Sequence, residues 1–139
     1  MHVLLADVRV CVRQALRLFV EEALTIDRMW EVADVKALFQ FTAIERPDLI
    51  LLDTALAKRP RADSLQHCIG TLQILHPPVY IIVLCSNEES SEEMRTSGAD
   101  AWVCKGESPA YLLAALQQAA TDLSGCLPAP NRWLRPASG

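Results

Sequence analysis

"DLILLD", Asp48 to Asp53, decides the fold. Leu49 to Leu52 are apolar without a break, so the stretch has no polar face. A strand with one side in water alternates polar and apolar residues. An unbroken run belongs to a strand buried on both faces, as in a parallel sheet covered by helices. The run then stops on a carboxylate, Asp53. That group costs free energy in an apolar setting unless it meets a cation, a metal or water.

The same unit of apolar run followed by helical period recurs on either side. His2 to Asp7 reads as a first strand. From Arg9 to about Leu24, Val12, Ala15, Leu16, Phe19 and Ala23 recur at helical spacing. Met29 to Ala33 is a second strand. Asp34 can cap a helix in which Val35, Leu38, Phe39 and Thr42 share a face, and Pro47 ends it. After Asp53, a loop is expected from Thr54 to about Ala62. Leu65, Cys68, Ile69 and Leu72 then mark a helix closed by Pro77-Pro78. Val79 to Leu84 is a fourth strand. Asn87 to Ser97 reads as a helix with a poor apolar stripe, little buried and locally unstable, stopped by Gly98. Ala101 to Cys104 is a fifth strand. Ser108-Pro109 opens a last helix with Leu112, Ala115, Leu116 and Ala119 on one face. Five strand–helix units predict an α/β fold, a doubly wound parallel sheet with helices on both faces.

Bulk properties narrow the function. The 139 residues suit one domain. A net charge of -4 gives no electrostatic footprint for nucleic acid or an anionic membrane. No apolar run approaches the ~20 residues of a membrane span, and Met1-His2-Val3 does not read as a signal peptide. The 5 cysteines lack Cys-x-x-Cys spacing and fit reduced thiols, hence a cytoplasmic setting, better than a disulfide framework. His67 and His76 have no accompanying ligand cluster. No G-x-G-x-x-G or P-loop supports a nucleotide or flavin enzyme, and no enzymatic role is expected.

Ligands of open parallel sheets bind beyond the carboxyl ends of the strands. Asp7, Asp53, the Cys85-Ser86 pair and Lys105 fall there. Cys85 and Cys104 end neighbouring strands, which raises a redox reading. The ordinary role of cysteine as a small core residue is preferred over it.

The stretches "HVLLAD", "ERPDLILLD", "YIIVLCS" and "SGADAWVCKGESPAYLLAALQQA" resemble the receiver domain of two-component response regulators, most closely the group with a helix-turn-helix output domain. The likeness spans residues 1–122 as a receiver domain and leaves 123–139 as a tail or the start of a linker. It implies a flavodoxin-like sheet in the order 2-1-3-4-5, and phosphoryl transfer from a histidine kinase or another phosphodonor to Asp53. It also implies Mg²⁺ at Asp7 and Asp53, Lys105 against the phosphoryl oxygens, and Trp102 at the aromatic switch position. Cys85 stands where the family has Thr or Ser, with Ser86 next to it.

Tyr111, Leu112 and Leu116, with Trp102, are expected to form an exposed apolar surface for a homodimer or an output domain. DNA would be reached only through an output domain absent from these residues. Val8 replaces the second acid of the usual metal pair, so a weakened Mg²⁺ site is expected. Gly106 replaces the proline common after the lysine, and the Pro-Gly turn after the acceptor is missing. The alternative reading is a pseudo-receiver, acting as a phosphorylation-independent interaction or dimerisation module. Neither the cognate kinase nor the regulated process is encoded in these residues.

Overall fold

The computed structural model describes residues 1–57, 65–86 and 91–124. Leu49–Asp53 forms β3, and all five of its residues are buried. It is the middle strand of a parallel sheet ordered β2-β1-β3-β4-β5. Its neighbours are β1 (His2–Ala6) and β4 (Tyr80–Cys85), with β2 (Arg28–Val32) and β5 (Ala101–Cys104) outermost. The expected α/β fold and the 2-1-3-4-5 order are both present.

The unbroken apolar runs are explained by a core split across the sheet. Leu4, Ile50, Leu52, Ile81 and Val83 point to one side, and Leu38 of α2 (Val35–Glu45) with Cys68, Ile69 and Leu72 of α4 (Leu65–Leu75) cover them. Val3, Leu5, Leu49, Leu51 and Ile82 point to the other side. Val20 of α1 (Val10–Ala23) with Leu116 and Ala119 of α6 (Pro109–Leu123) cover that side. Strand alternation is therefore intact, but both phases are buried, so the sequence shows no period.

The helix starts follow their capping chemistry. The Asp34 carboxylate accepts from the Ala37 N–H at 2.7 Å, opening α2. Ser108 accepts from Ala110 N–H at 3.2 Å, with Pro109 in the first turn of α6. Asp34→Ala removes the first bond without touching the core and is expected to lower stability by about 1 kcal/mol, read as a shift in the urea midpoint. α1 lacks such a cap, since Arg9 at its start makes no side-chain bond to the helix N-terminus. It is tied down instead by Glu31 of β2, which accepts from Arg13 and Arg17, each at 2.9 Å.

One expectation changes. The segment after Asp53 does not begin as a loop: Thr54–Ala57 is a helical turn, α3, because the Asp53 Oδ2 accepts from Ala55 N–H at 3.1 Å. The rest of that expected loop, 58–64, lies outside the described residues. The helix expected over Asn87 to Ser97 is α5, Ser91–Thr96, with residues 87–90 likewise outside. Met94 is the buried residue of α5, matching its weak stripe. Gly98 turns the chain at φ 92°, a conformation that favours glycine.

His76 follows α4 and is 7 % exposed, and its Nδ1 has no hydrogen-bond partner. Burial, aided by the Arg46 charge, holds its pKa below the usual histidine value, against a smaller upward pull from the Pro47 backbone and Asp48. The unfolded chain therefore takes up this proton first as pH falls. Stability from His76 is whole above about pH 6.5 and declines below it until the folded-state pKa is passed. A lower urea midpoint at pH 5.5 than at pH 7.5 is expected, with the difference reduced in His76→Gln. An unchanged difference in that variant would remove His76 as the cause.

Candidate functional site

The carboxyl ends of β1, β3 and β5 bring three charged side chains together. Asp7 follows β1 and its N–H donates to the Val32 carbonyl at 3.2 Å. Asp53 ends β3. Both carboxylates are buried, at 0 % and 1 % exposed. Lys105 follows β5, where its N–H donates to the Cys85 carbonyl at 2.9 Å. Its Nζ pairs with Asp53 Oδ1 and lies 3.7 Å from Asp7 Oδ2. One ammonium thus serves two buried acids, and buried carboxylates are costly unless paired in this way.

Arg9 is a fourth charged group, and its role was not anticipated from the sequence. Its backbone N–H donates to Asp7 Oδ1 at 2.9 Å and its Nε lies 3.4 Å from the same oxygen. The Asp7 hydrogen bond raises the guanidinium above its ordinary pKa against an opposing desolvation penalty, with the charges of Asp7 and Asp53 adding to the rise. A basic residue two positions past a strand-end acid was the available signal. The turn that folds it back onto Asp7 was not. The four groups carry two negative and two positive charges.

The donor set fits a hard cation only in part. Asp7 Oδ2 is buried and has no hydrogen-bond partner, so one carboxylate oxygen is available. Asp53 adds its carboxylate. Val8 has no ligand atom and packs against the core. Mg²⁺ prefers six oxygens, and here most would be water. Among the described residues no group of three or more His, Cys, Asp or Glu is placed to hold a metal.

Cys85 ends β4, 1 % exposed, with its Sγ 3.2 Å from the Sγ of Cys104 and 3.5 Å from the Val103 carbonyl. Ser86 follows it, partly buried. Trp102 is partly buried against the cluster that contains Cys85. Tyr111 and Leu112 are partly buried as well, and Leu112 borders a mostly apolar cavity of about 550 Å³ between α1 and α6 that reaches Arg9 and Lys105. Leu116 does not belong to that surface. It is fully buried, packed in the core cluster with Ile82 and Leu84 of β4 and Val103 of β5. Among the described residues, the large apolar side chains most open to solvent are Leu18, Ile44 and Ile74, one each on α1, α2 and α4.

No family model matches the chain, and no curated protein matches it. Solved structures do. A two-component response regulator of the LuxR family from Aurantimonas sp. SI85-9A1 superposes with a TM-score of 0.75 at 20 % identity, over 98 % of this chain and 90 % of that one. The isolated REC domain of RcsB from Salmonella enterica serovar Typhimurium, with the phosphomimetic BeF3-, gives 0.72 at 22 % identity, over 88 % and 97 %. The REC domain of AraT, a response regulator from Geobacillus stearothermophilus, gives 0.71 at 19 % identity, over 89 % and 95 %. The chain therefore has the receiver-domain fold of response regulators.

Proposed function

We propose that this chain is a receiver module of a phosphorelay, which takes a phosphoryl group onto Asp53 from a histidine kinase or another phosphodonor. One observation carries the reading: a lysine ammonium just past β5 lies between two buried carboxylates at the mouth of the sheet. In the transfer, an Asp53 carboxylate oxygen bonds to phosphorus as the donor's bond to phosphorus breaks and the donor leaves with the electron pair. Lys105 neutralises charge on the transferred oxygens, and Arg9, whose charge also interacts with Asp53, adds positive field. Mg²⁺, when bound, would be held by Asp7 and Asp53 and would supply further charge neutralisation. The acyl phosphate adds charge and acceptor oxygens where Lys105 had paired with Asp53, and so biases the end of β5 and Trp102.

The receiver unit is residues 1–122, with 123–139 leading towards an output module. α6 ends at Leu123, and residues 125–139 lie outside the described part. A homodimer or output domain docking near Trp102, Tyr111 and Leu112, and a cytoplasmic setting, belong to the same reading. Among the described residues no helix is long and apolar enough to cross a membrane.

Val8 and the pairing of Arg9 with Asp7 favour a second reading, a pseudo-receiver that signals through partner binding alone. The two separate in one experiment. The full chain is incubated with Mg²⁺ and acetyl phosphate and weighed by mass spectrometry. A single phosphoryl adduct, absent from Asp53→Ala, supports the phosphorelay reading. No adduct at any Mg²⁺ concentration leaves the interaction module.

A further inference from the structure

Cys85 and Cys104 stand opposite one another in the β4–β5 ladder, as partners in the register. Neighbouring strands run about 4.8 Å apart, and disulfides span Cα separations of about 4.4–6.8 Å. The two sulfurs are already 3.2 Å apart. A disulfide needs them at about 2.05 Å, a closure within reach of small side-chain rotations. Cys85 is buried and Cys104 is partly exposed. That is the asymmetry of an attacking thiol and its resolving partner.

We propose that Cys104 and Cys85 form a peroxide-reactive dithiol site whose oxidation cross-links the ends of β4 and β5. The Cys104 thiolate attacks one oxygen of hydrogen peroxide. The O–O bond breaks, the sulfur becomes a sulfenic acid, and the other oxygen leaves as hydroxide, which takes up the proton the thiol released and becomes water. The Cys85 sulfur then attacks the sulfenic sulfur, the S–S bond forms, and the hydroxyl leaves as a second water. Two thiols lose two electrons and two protons in all, and a dithiol reductant reverses the step.

The cross-link would bracket the bond from Lys105 N–H to the Cys85 carbonyl and fix the strand end from which Lys105 reaches Asp53. Trp102, two residues before Cys104, packs in the cluster that holds Cys85. Oxidation therefore acts on the residues that face Asp53, but the chemistry needs no phosphoryl transfer. Cys68 is a poor competitor: it is buried, and its thiol is pushed up to about 12, which leaves almost no thiolate at neutral pH. Cys11 is exposed and is the internal control.

The test uses the reduced full chain treated with stoichiometric hydrogen peroxide. Trypsin followed by chymotrypsin separates Cys68, Cys85 and Cys104 for mapping. The expected result is loss of two thiols per chain, a Cys85–Cys104 linked peptide, and full recovery with dithiothreitol. Cys104→Ser should abolish the link. Cys85→Ser should leave a sulfenic acid on Cys104 that dimedone traps. Should Cys85→Ser not fold, the Cys104→Ser result and the wild-type map decide the matter. Asp53→Ala should form the link as the wild type does, so a failed phosphorylation reading leaves this outcome intact. Oxidation confined to Cys11, or Cys104 linked to any other cysteine, would overturn the proposal.

Discussion

Replacing Lys105 by methionine should lower the unfolding free energy by about 3 kcal/mol. Methionine keeps much of the apolar stem and removes the ammonium. Asp53 Oδ1 loses its ion-pair partner, and Asp7 Oδ2, already without a hydrogen bond, loses the nearest cation on its side. Two buried carboxylates then face each other, with Arg9 as the remaining neutralising charge. Breaking a buried pair by removing one partner costs about 3–5 kcal/mol. The Lys105 side chain is 28 % exposed, so water relieves part of that cost and the lower end applies. The measurement is urea unfolding at pH 7, paired with the Lys105→Met/Asp53→Asn double variant. The second change should return much of the loss, because it removes a charge the first one stranded. A loss below about 0.5 kcal/mol, within the range of an ordinary surface substitution, would mean that water, not Lys105, stabilises the two acids. On the proposed phosphorelay reading, Lys105→Met should also take up a phosphoryl group from acetyl phosphate more slowly, which a purely structural role would not require.

The sheet was legible because its evidence is local. "DLILLD" reads as a central strand, since burial on both faces needs only an apolar run, and Asp34, Gly98 and Ser108-Pro109 are local signals for helix ends. The meeting of Asp53 with Lys105 was also legible, because parallel strands present their carboxyl ends on one edge. What stayed hidden depends on contacts between elements. Arg9 folds back on Asp7 through a turn that no pattern announces. The Cys85–Cys104 contact needs the β4–β5 register, which an apolar run cannot fix. Leu116 and Leu112 look equivalent on a helical wheel, yet one is fully buried against the sheet and the other lies at a cavity edge. The helical turn after Asp53 arises from a single side-chain bond to Ala55, where composition suggested a loop.

Val8→Asp should strengthen Mg²⁺ binding by roughly tenfold or more. Outer-shell partners alone change metal affinity by roughly 10–100-fold, and a direct carboxylate should do at least as much. The new group would add a carboxylate next in sequence to Asp7, whose buried Oδ2 has no hydrogen bond. Without metal the change is unfavourable: Val8 gives up its packing against the core, and a third acid joins two buried ones. The variant should therefore be less stable than the parent in chelator and gain more stability from Mg²⁺, because a ligand that binds only the folded state stabilises it by mass action. Thermal midpoints across a Mg²⁺ titration read both effects at once. Equal Mg²⁺ responses in Val8→Asp and the parent would place the limit at Arg9, whose guanidinium already neutralises Asp7. In that event Arg9→Ala, not Val8→Asp, should produce the larger Mg²⁺ response. Either result identifies which of two adjacent residues, Val8 or Arg9, has the larger influence on Mg²⁺ binding at this acidic site.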